Sequence, residues 1–127
     1  MNHPLLMFFA ALLGGCGAVL RMMVDGWINI HITPHYHWGF PLGTIIVNVT
    51  ACFALGLLTG LGIAHIAPDP VRFLLGSGFL GGYSTFSTAS VEGVRLLKAG
   101  HPGLFVVHTG GMLILSLAAT WLGFVAV

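Results

Sequence analysis

The sequence predicts an all-α integral membrane protein: four transmembrane helices, the third broken mid-membrane, paired as an antiparallel, dual-topology dimer. Three observations carry the spans and the break; the pairing is an expectation from a weak charge bias. The 127 residues are 57% hydrophobic and 6% charged, where a soluble domain carries about a quarter charged residues. Charges and Pro/Gly punctuation divide the chain into four long uncharged runs. The third run contains GGYSTFSTAS, residues 81–90, in which two adjacent glycines precede five hydroxyl residues in seven positions.

The runs are taken in order as one four-helix membrane domain over residues 1–127. The first span covers residues 4–22 and ends around Arg21, just long enough to cross a bilayer. With no charged residues before its apolar run and no clear cleavage site, it reads as a retained span, not a signal peptide. A polar His-rich loop, residues 25–39, follows. The second span, 41–64, opens on Pro41, a residue suited to a first helical turn. An APDP turn, residues 67–70, leads to the third span, 71–97, with its break at 81–88. After a turn at 99–102 the fourth span, 103–127, carries no charge. Four spans put both termini on one side.

Arg72 then lies on the terminal side, with Arg21, Arg95 and Lys98 opposite. Under the positive-inside rule this bias is weak. A chain so lightly instructed can insert both ways and pair with its own inverted copy. Among the 19 glycines, the Gly14, Gly15, Gly17 cluster, Gly56 and Gly60, and Gly110-Gly111 suit close helix approach.

Composition also excludes classes. Four Lys and Arg against three Asp and Glu leave no basic patch for phosphates, so no nucleic-acid partner is expected. Cys16 and Cys52 lie in apolar runs without metal or redox spacing and read as small buried hydrophobes. Asn48-Val49-Thr50 matches a glycosylation sequon but sits within a span.

Gly81-Gly82 weakens the third helix, and the hydroxyls beyond it compete for backbone hydrogen bonds. Backbone freed in hydrocarbon must be buried in protein or line a polar cavity. Broken transporter helices use such carbonyls as ion sites, so carbonyls near Gly81 and Ser84 are candidates for a cation. The same residues also fit an unbroken helix whose hydroxyls bond one turn back. Phe86 offers an anion the positive edge of its ring, or simply packs. Asn48 is a polar amide in a span, facing either a pathway or another helix. Arg21 either collects anions or snorkels from a helix end.

These residues resemble a known family. GGYSTFSTAS resembles the GGxTTFSTF signature of the small bacterial fluoride channels, the Fluc or CrcB family. GGCGAVLR (14–21), FPLGTIIVNVTACFALG (40–56) and SLAATWLG (116–123) look like its other motifs, in the right order and spacing. The resemblance spans the whole chain. It implies an antiparallel dimer, either a homodimer or a pair of homologous subunits, with two fluoride pores. It implies a central structural sodium ion held by main-chain carbonyls of Gly81 and Ser84. It places Phe86, Asn48, Thr44, Thr85, Ser87, Ser116 and Arg21 on or near the fluoride pathway. Three positions depart from the family pattern: Ala89 stands where a second phenylalanine is expected, His108 where a tyrosine is, and Met112 where a hydroxyl or other polar residue is. Ala89 bears on conduction and selectivity more than on fold.

The reading is therefore a passive channel, not an enzyme, that exports fluoride across the bacterial inner membrane, with fluoride, lipid and a second copy as partners. An alternative is a pore-impaired or nonconducting subunit of a heterodimer, which Ala89 favours. A dual-topology multidrug exporter would want a membrane-embedded carboxylate, and the three acids, Asp25, Asp69 and Glu92, sit at run edges. A metal site at His31, His35 and His37 lacks a cysteine or acidic ligand and is interrupted by Pro34.

Overall fold

The computed structural model describes residues 3–32 and 42–127. Its elements are helices α1 (His3–His31), α2 (Leu42–Ile63), α3 (Asp69–Arg72), a π-helical stretch (Phe73–Leu80), α4 (Gly81–Tyr83), α5 (Ser87–Lys98) and α6 (Pro102–Val125). Three of them, α1, α2 and α6, are long and apolar enough to cross a membrane uninterrupted. Between α2 and α6 the segment from α3 to α5 is helical in shorter pieces. The chain is thus a multi-pass membrane protein.

The first helix outruns its expected span. Twenty-nine residues at about 1.5 Å each reach roughly 44 Å, against a hydrocarbon core of about 30 Å. Asp25 to His31 therefore extend the helix where a loop was expected, because leaving the bilayer does not end a helix that contains no internal proline. Its last turn is closed by His31, whose Nδ1 lies 3.0 Å from the Trp27 carbonyl and whose ring stacks on Trp27. The rest of the expected loop, His35, His37 and the Pro41 start included, lies outside the described residues.

Later ends follow local chemistry. Pro68 is extended ahead of α3, Pro70 fits its first turn, and Arg72 pairs with Asp69. Arg95 and Lys98 occupy the last turn of α5, where cations complement the helix dipole. Gly100, with φ 81°, supplies the left-handed residue that ends a helix cheaply.

Two seams hold the passes together, and both are built on glycine. On α2 and α6, Gly56 lies against the Thr120 carbonyl and Gly123 against the Phe53 carbonyl, so closely that a Cβ at either would overlap them. On α1 and the α3-to-α4 segment, Gly17 meets the Phe79 carbonyl and Gly82 the Gly14 carbonyl in the same way. Such contacts replace the hydrophobic drive that lipid does not provide. Gly15, Gly110 and Gly111 meet nothing within 4 Å and make no such approach within this chain. A buried cluster of Val47, Ala51 and Tyr83, with Val24 and Leu80 against it, joins the two seams. The Tyr83 hydroxyl meets Thr50 Oγ1 at 2.9 Å.

One expectation changes. Gly81-Gly82 was expected to break the helix, yet Gly81 is helical (φ −61°, ψ −37°) and both glycines belong to α4. Gly82 is small because α1 passes directly over it, and that contact holds the pair helical. The chain leaves the helix at Ser84 (φ −76°, ψ 159°) and re-enters it at Ser87.

Candidate functional site

The break is held open by one side chain. Asn48, on α2, accepts the Thr85 N–H at Oδ1 (2.9 Å) and donates from Nδ2 to the Thr85 carbonyl (2.7 Å). Its amide thus pairs with Thr85 as a second strand would. In a continuous helix the Thr85 N–H would go to the Gly81 carbonyl four residues back; Asn48 takes it instead. Likewise the Thr88 N–H, owed to the Ser84 carbonyl, goes to Thr85 Oγ1 (3.2 Å). Both candidate cation ligands, Gly81 and Ser84, have had their helical donors diverted. They line a shared opening of about 190 Å³ with Ala51, Cys52, Leu55, Gly76 and Leu80. Carbonyl oxygens released together near an exposed face are a fitting donor set for a hard cation.

On the other flank of the break the side chains stack in levels. Asn48 Nδ2 also reaches Met112 Sδ at 3.4 Å, so Asn48, Thr85 and Met112 share one level. Thr44 and His108 are each four residues earlier on their helices, one turn and about 6 Å away. There Thr44, 3% exposed, donates from Oγ1 to Glu92 Oε1 at 2.7 Å. His108, 1% exposed, lies with Nε2 3.3 Å from the Ala89 carbonyl. Ser116 follows one turn beyond Met112. A cleft of about 80 Å³ opens beside these levels, lined by Arg21, Met22, Asp25, Thr44, Val47, Thr85 and Thr88, which is room for water.

The sequence-selected residues therefore divide into three places. Arg21, Thr44, Asn48 and Thr85 gather around the cleft, with Ser116 farther along α6. Gly81 and Ser84 share the opposite opening. Phe86 and Ser87 point outward, Phe86 with 85% of its surface exposed. The three departures are not scattered: Ala89 touches His108, and Met112 touches Asn48. Ala89, itself 4% exposed, leaves a small surface beside the imidazole.

Glu92 and Asp25 were missed as site residues because both sit at the edge of an uncharged run. The signal that could have found Glu92 is its position on α5: it falls one turn after Ala89 (i, i+3), on the face that follows the break. Asp25 reaches the site because Gly43 leaves room for its carboxylate against α2. Among the described residues no group of three or more His, Cys, Asp or Glu is arranged to hold a metal ion.

Comparison with known proteins gives a consistent result. The family model described as CrcB-like protein, Camphor Resistance (CrcB), matches residues 8–124. The fluoride-specific ion channel FluC 1 of Leifsonia xyli subsp. xyli is 43% identical over 128 residues, covering 98% of this chain and 90% of that protein. FluC of Acidobacterium capsulatum is 38% identical over 118 residues, 92% and 91% of the two chains. FluC of Nitratidesulfovibrio vulgaris is 44% identical over 113 residues, 88% of each.

Proposed function

We propose, from the premise that this chain belongs to the CrcB family, that it forms a passive fluoride-selective channel and is not an enzyme. The observation that carries the reading is the pinned break: an amide from one helix opens another in a pass that would otherwise be sealed by lipid-facing apolar residues. Relatives at this identity bear the name fluoride-specific ion channel.

In this reading the anion travels the stacked levels beside the break. It enters past Arg21 and meets Thr44, Asn48, Thr85 and Ser116, with Ser87 and the Phe86 edge completing the path in the assembled protein. Small neutral donors can replace an ion's hydration shell without trapping it, as a strong fixed charge would. Met112 sulfur, a weak acceptor, occupies a donor of Asn48 that fluoride would take. Export across the bacterial inner membrane needs no ATP: a potential negative inside drives an anion outward.

The working unit in this proposal is an antiparallel homodimer. The exposed hydroxyls of Ser84 and Ser87 and the backbone freed at the break are costly to leave in hydrocarbon, and insertion of this face, with the 85% exposed Phe86, into a partner explains them. Sodium, bound by the Gly81 and Ser84 carbonyls of both copies, would supply structural positive charge at the centre. The chain's own contribution there is to free those carbonyls, through Asn48 and Thr85.

Fluoride efflux from liposomes containing this chain alone, with chloride efflux alongside, tests the proposal. Fast fluoride release with retained chloride is the expected result. Equal release of both would overturn selectivity. Folded, dimeric protein that releases neither would favour a pore-impaired subunit that needs an unlike partner, the reading to which Ala89 points.

A further inference from the structure

We infer that Met112 is a displaceable cap on Asn48: its thioether holds one amide hydrogen between ions, yields it to fluoride, and so sets the concentration at which this level fills. The inference rests on the channel reading above and deepens it with a residue outside the pathway set.

The Asn48 amide has a fixed inventory of bonds: two N–H donors and one carbonyl acceptor. Its Oδ1 accepts the Thr85 N–H at 2.9 Å, and one Nδ2 hydrogen goes to the Thr85 carbonyl at 2.7 Å. These two bonds decide which end of the amide is nitrogen, because Thr85 offers one backbone donor and one backbone acceptor. One hydrogen remains, and it is donated to Met112 Sδ at 3.4 Å.

Of the three contacts only this last is easily given up. The Thr85 bonds close as a pair, and losing either leaves backbone unpaired where no water can replace the partner. Thioether sulfur is a weak acceptor on an unbranched side chain with three rotatable bonds, so it can withdraw without disturbing a helix. Met112 is only half-buried on α6. The level also adjoins the cleft: Thr85, bonded to Asn48 at both its N–H and its carbonyl, lines that opening, as does Thr44 one helical turn from Asn48.

A bare N–H is costly in hydrocarbon, whereas a strong fixed partner would keep an arriving anion out. Methionine does neither. It occupies the donor at rest, and fluoride, a far stronger acceptor, replaces it. While the cap is on, the level cannot bind, so the apparent dissociation constant is raised by the inverse of the fraction of time the donor is free.

The test measures initial fluoride efflux from liposomes over a series of internal fluoride concentrations. Potassium and valinomycin carry the counter-charge, and release from protein-free liposomes is subtracted. Met112→Leu removes the acceptor and keeps the bulk, a swap that cores tolerate; Met112→Ala removes both. A hydrogen bond of ordinary net strength shifts an equilibrium about fivefold, and the half-saturating fluoride concentration is expected to fall by that factor in both variants. An unchanged or raised value in Met112→Leu overturns the inference, as does a change in maximal flux alone. A fall in Met112→Ala only would reduce Met112 to a matter of bulk and overturns it too. If neither the native chain nor the variants pass fluoride, the channel reading fails, and NMR of the Asn48 side-chain amide in detergent decides separately, with sodium chloride as the ionic-strength control. Nδ2 proton signals that move at lower sodium fluoride in Met112→Leu than in the native chain sustain the cap. Equal midpoints, or signals indifferent to fluoride, overturn it.

Discussion

The two glycine seams and the face around the break are built on opposite terms. Along the seams backbone lies against backbone, and Gly17, Gly56, Gly82 and Gly123 have no room for a single added carbon. Around the break, Ser84, Phe86, Ser87 and Ser90 are exposed, and α5 rests mainly on α6 with little of α2 beside it. One region is finished within the chain and the other is not. The difference teaches that folding and function draw on separate surfaces: the seams set where the helices stand, and the open face waits for what completes it.

The largest effect should come from filling a seam. Gly82→Val places a branched side chain into the Gly14 carbonyl. Overpacking of a core costs about 1–3 kcal/mol even where side chains can shift, and here the obstacle is backbone. The expected outcome is loss of the monodisperse protein in size-exclusion chromatography. Gly15→Val, made where nothing lies within 4 Å, should elute as the native chain does. Equal behaviour of the two variants would dissolve the distinction between the regions.

A smaller effect is expected where the regions meet. Asn48→Ala removes both bonds to Thr85, and each unmade partner costs about 1–3 kcal/mol in a buried setting. Helix content by circular dichroism should change little, whereas fluoride efflux should fall by at least about tenfold. Efflux near the native rate would show that the break does not depend on Asn48.

The smallest effect on the single chain should come from Phe86→Ala. With Phe86 85% exposed, thermal stability in detergent should move by no more than about 0.5 kcal/mol, as for other surface changes. Dimer content and fluoride efflux should drop nonetheless. A variant that destabilises the isolated chain as strongly as Gly82→Val would mean that Phe86 belongs to the fold.

How much of this was legible follows from what kind of signal each feature leaves. The three long apolar helices and the interrupted segment between the second and the last were readable because hydrocarbon sorts residues by polarity, and runs of polarity are printed in order along a chain. The end of α1 was not, because residues 23–31 leave the apolar run without leaving the helix. Gly81-Gly82 was ambiguous in principle: the same pair weakens a helix and admits a neighbour, and only the position of Gly14 decides. Asn48 and Thr85 were each selected, yet nothing local says that residues 37 apart bind each other. Glu92 and His108 were harder still, since an acid at a run edge faces in or out according to a break whose angle the sequence does not state. The family resemblance identified the departures at Ala89, His108 and Met112; that they adjoin the same stack of side chains is visible only in three dimensions.

The π-helical stretch Phe73–Leu80 has a consequence of a different order. A π turn holds one residue more than an α turn, and each residue of an α-helix advances the following chain by about 100° around its axis. The stretch therefore acts as a spacer between two fixed points, the Gly82 contact with α1 on one side and the Asp69–Arg72 corner on the other. Removing one residue from it and tightening what remains into α turns would leave the direction of Ser84 and Thr85 little changed, because the wider turns hold about one residue in excess. Exchanging one apolar residue for another in the same stretch leaves the count intact. The stretch thus holds slack in length between two fixed points, while Gly78, where an added Cβ would lie 3.0 Å from the Ala10 carbonyl oxygen of α1, is held to its size.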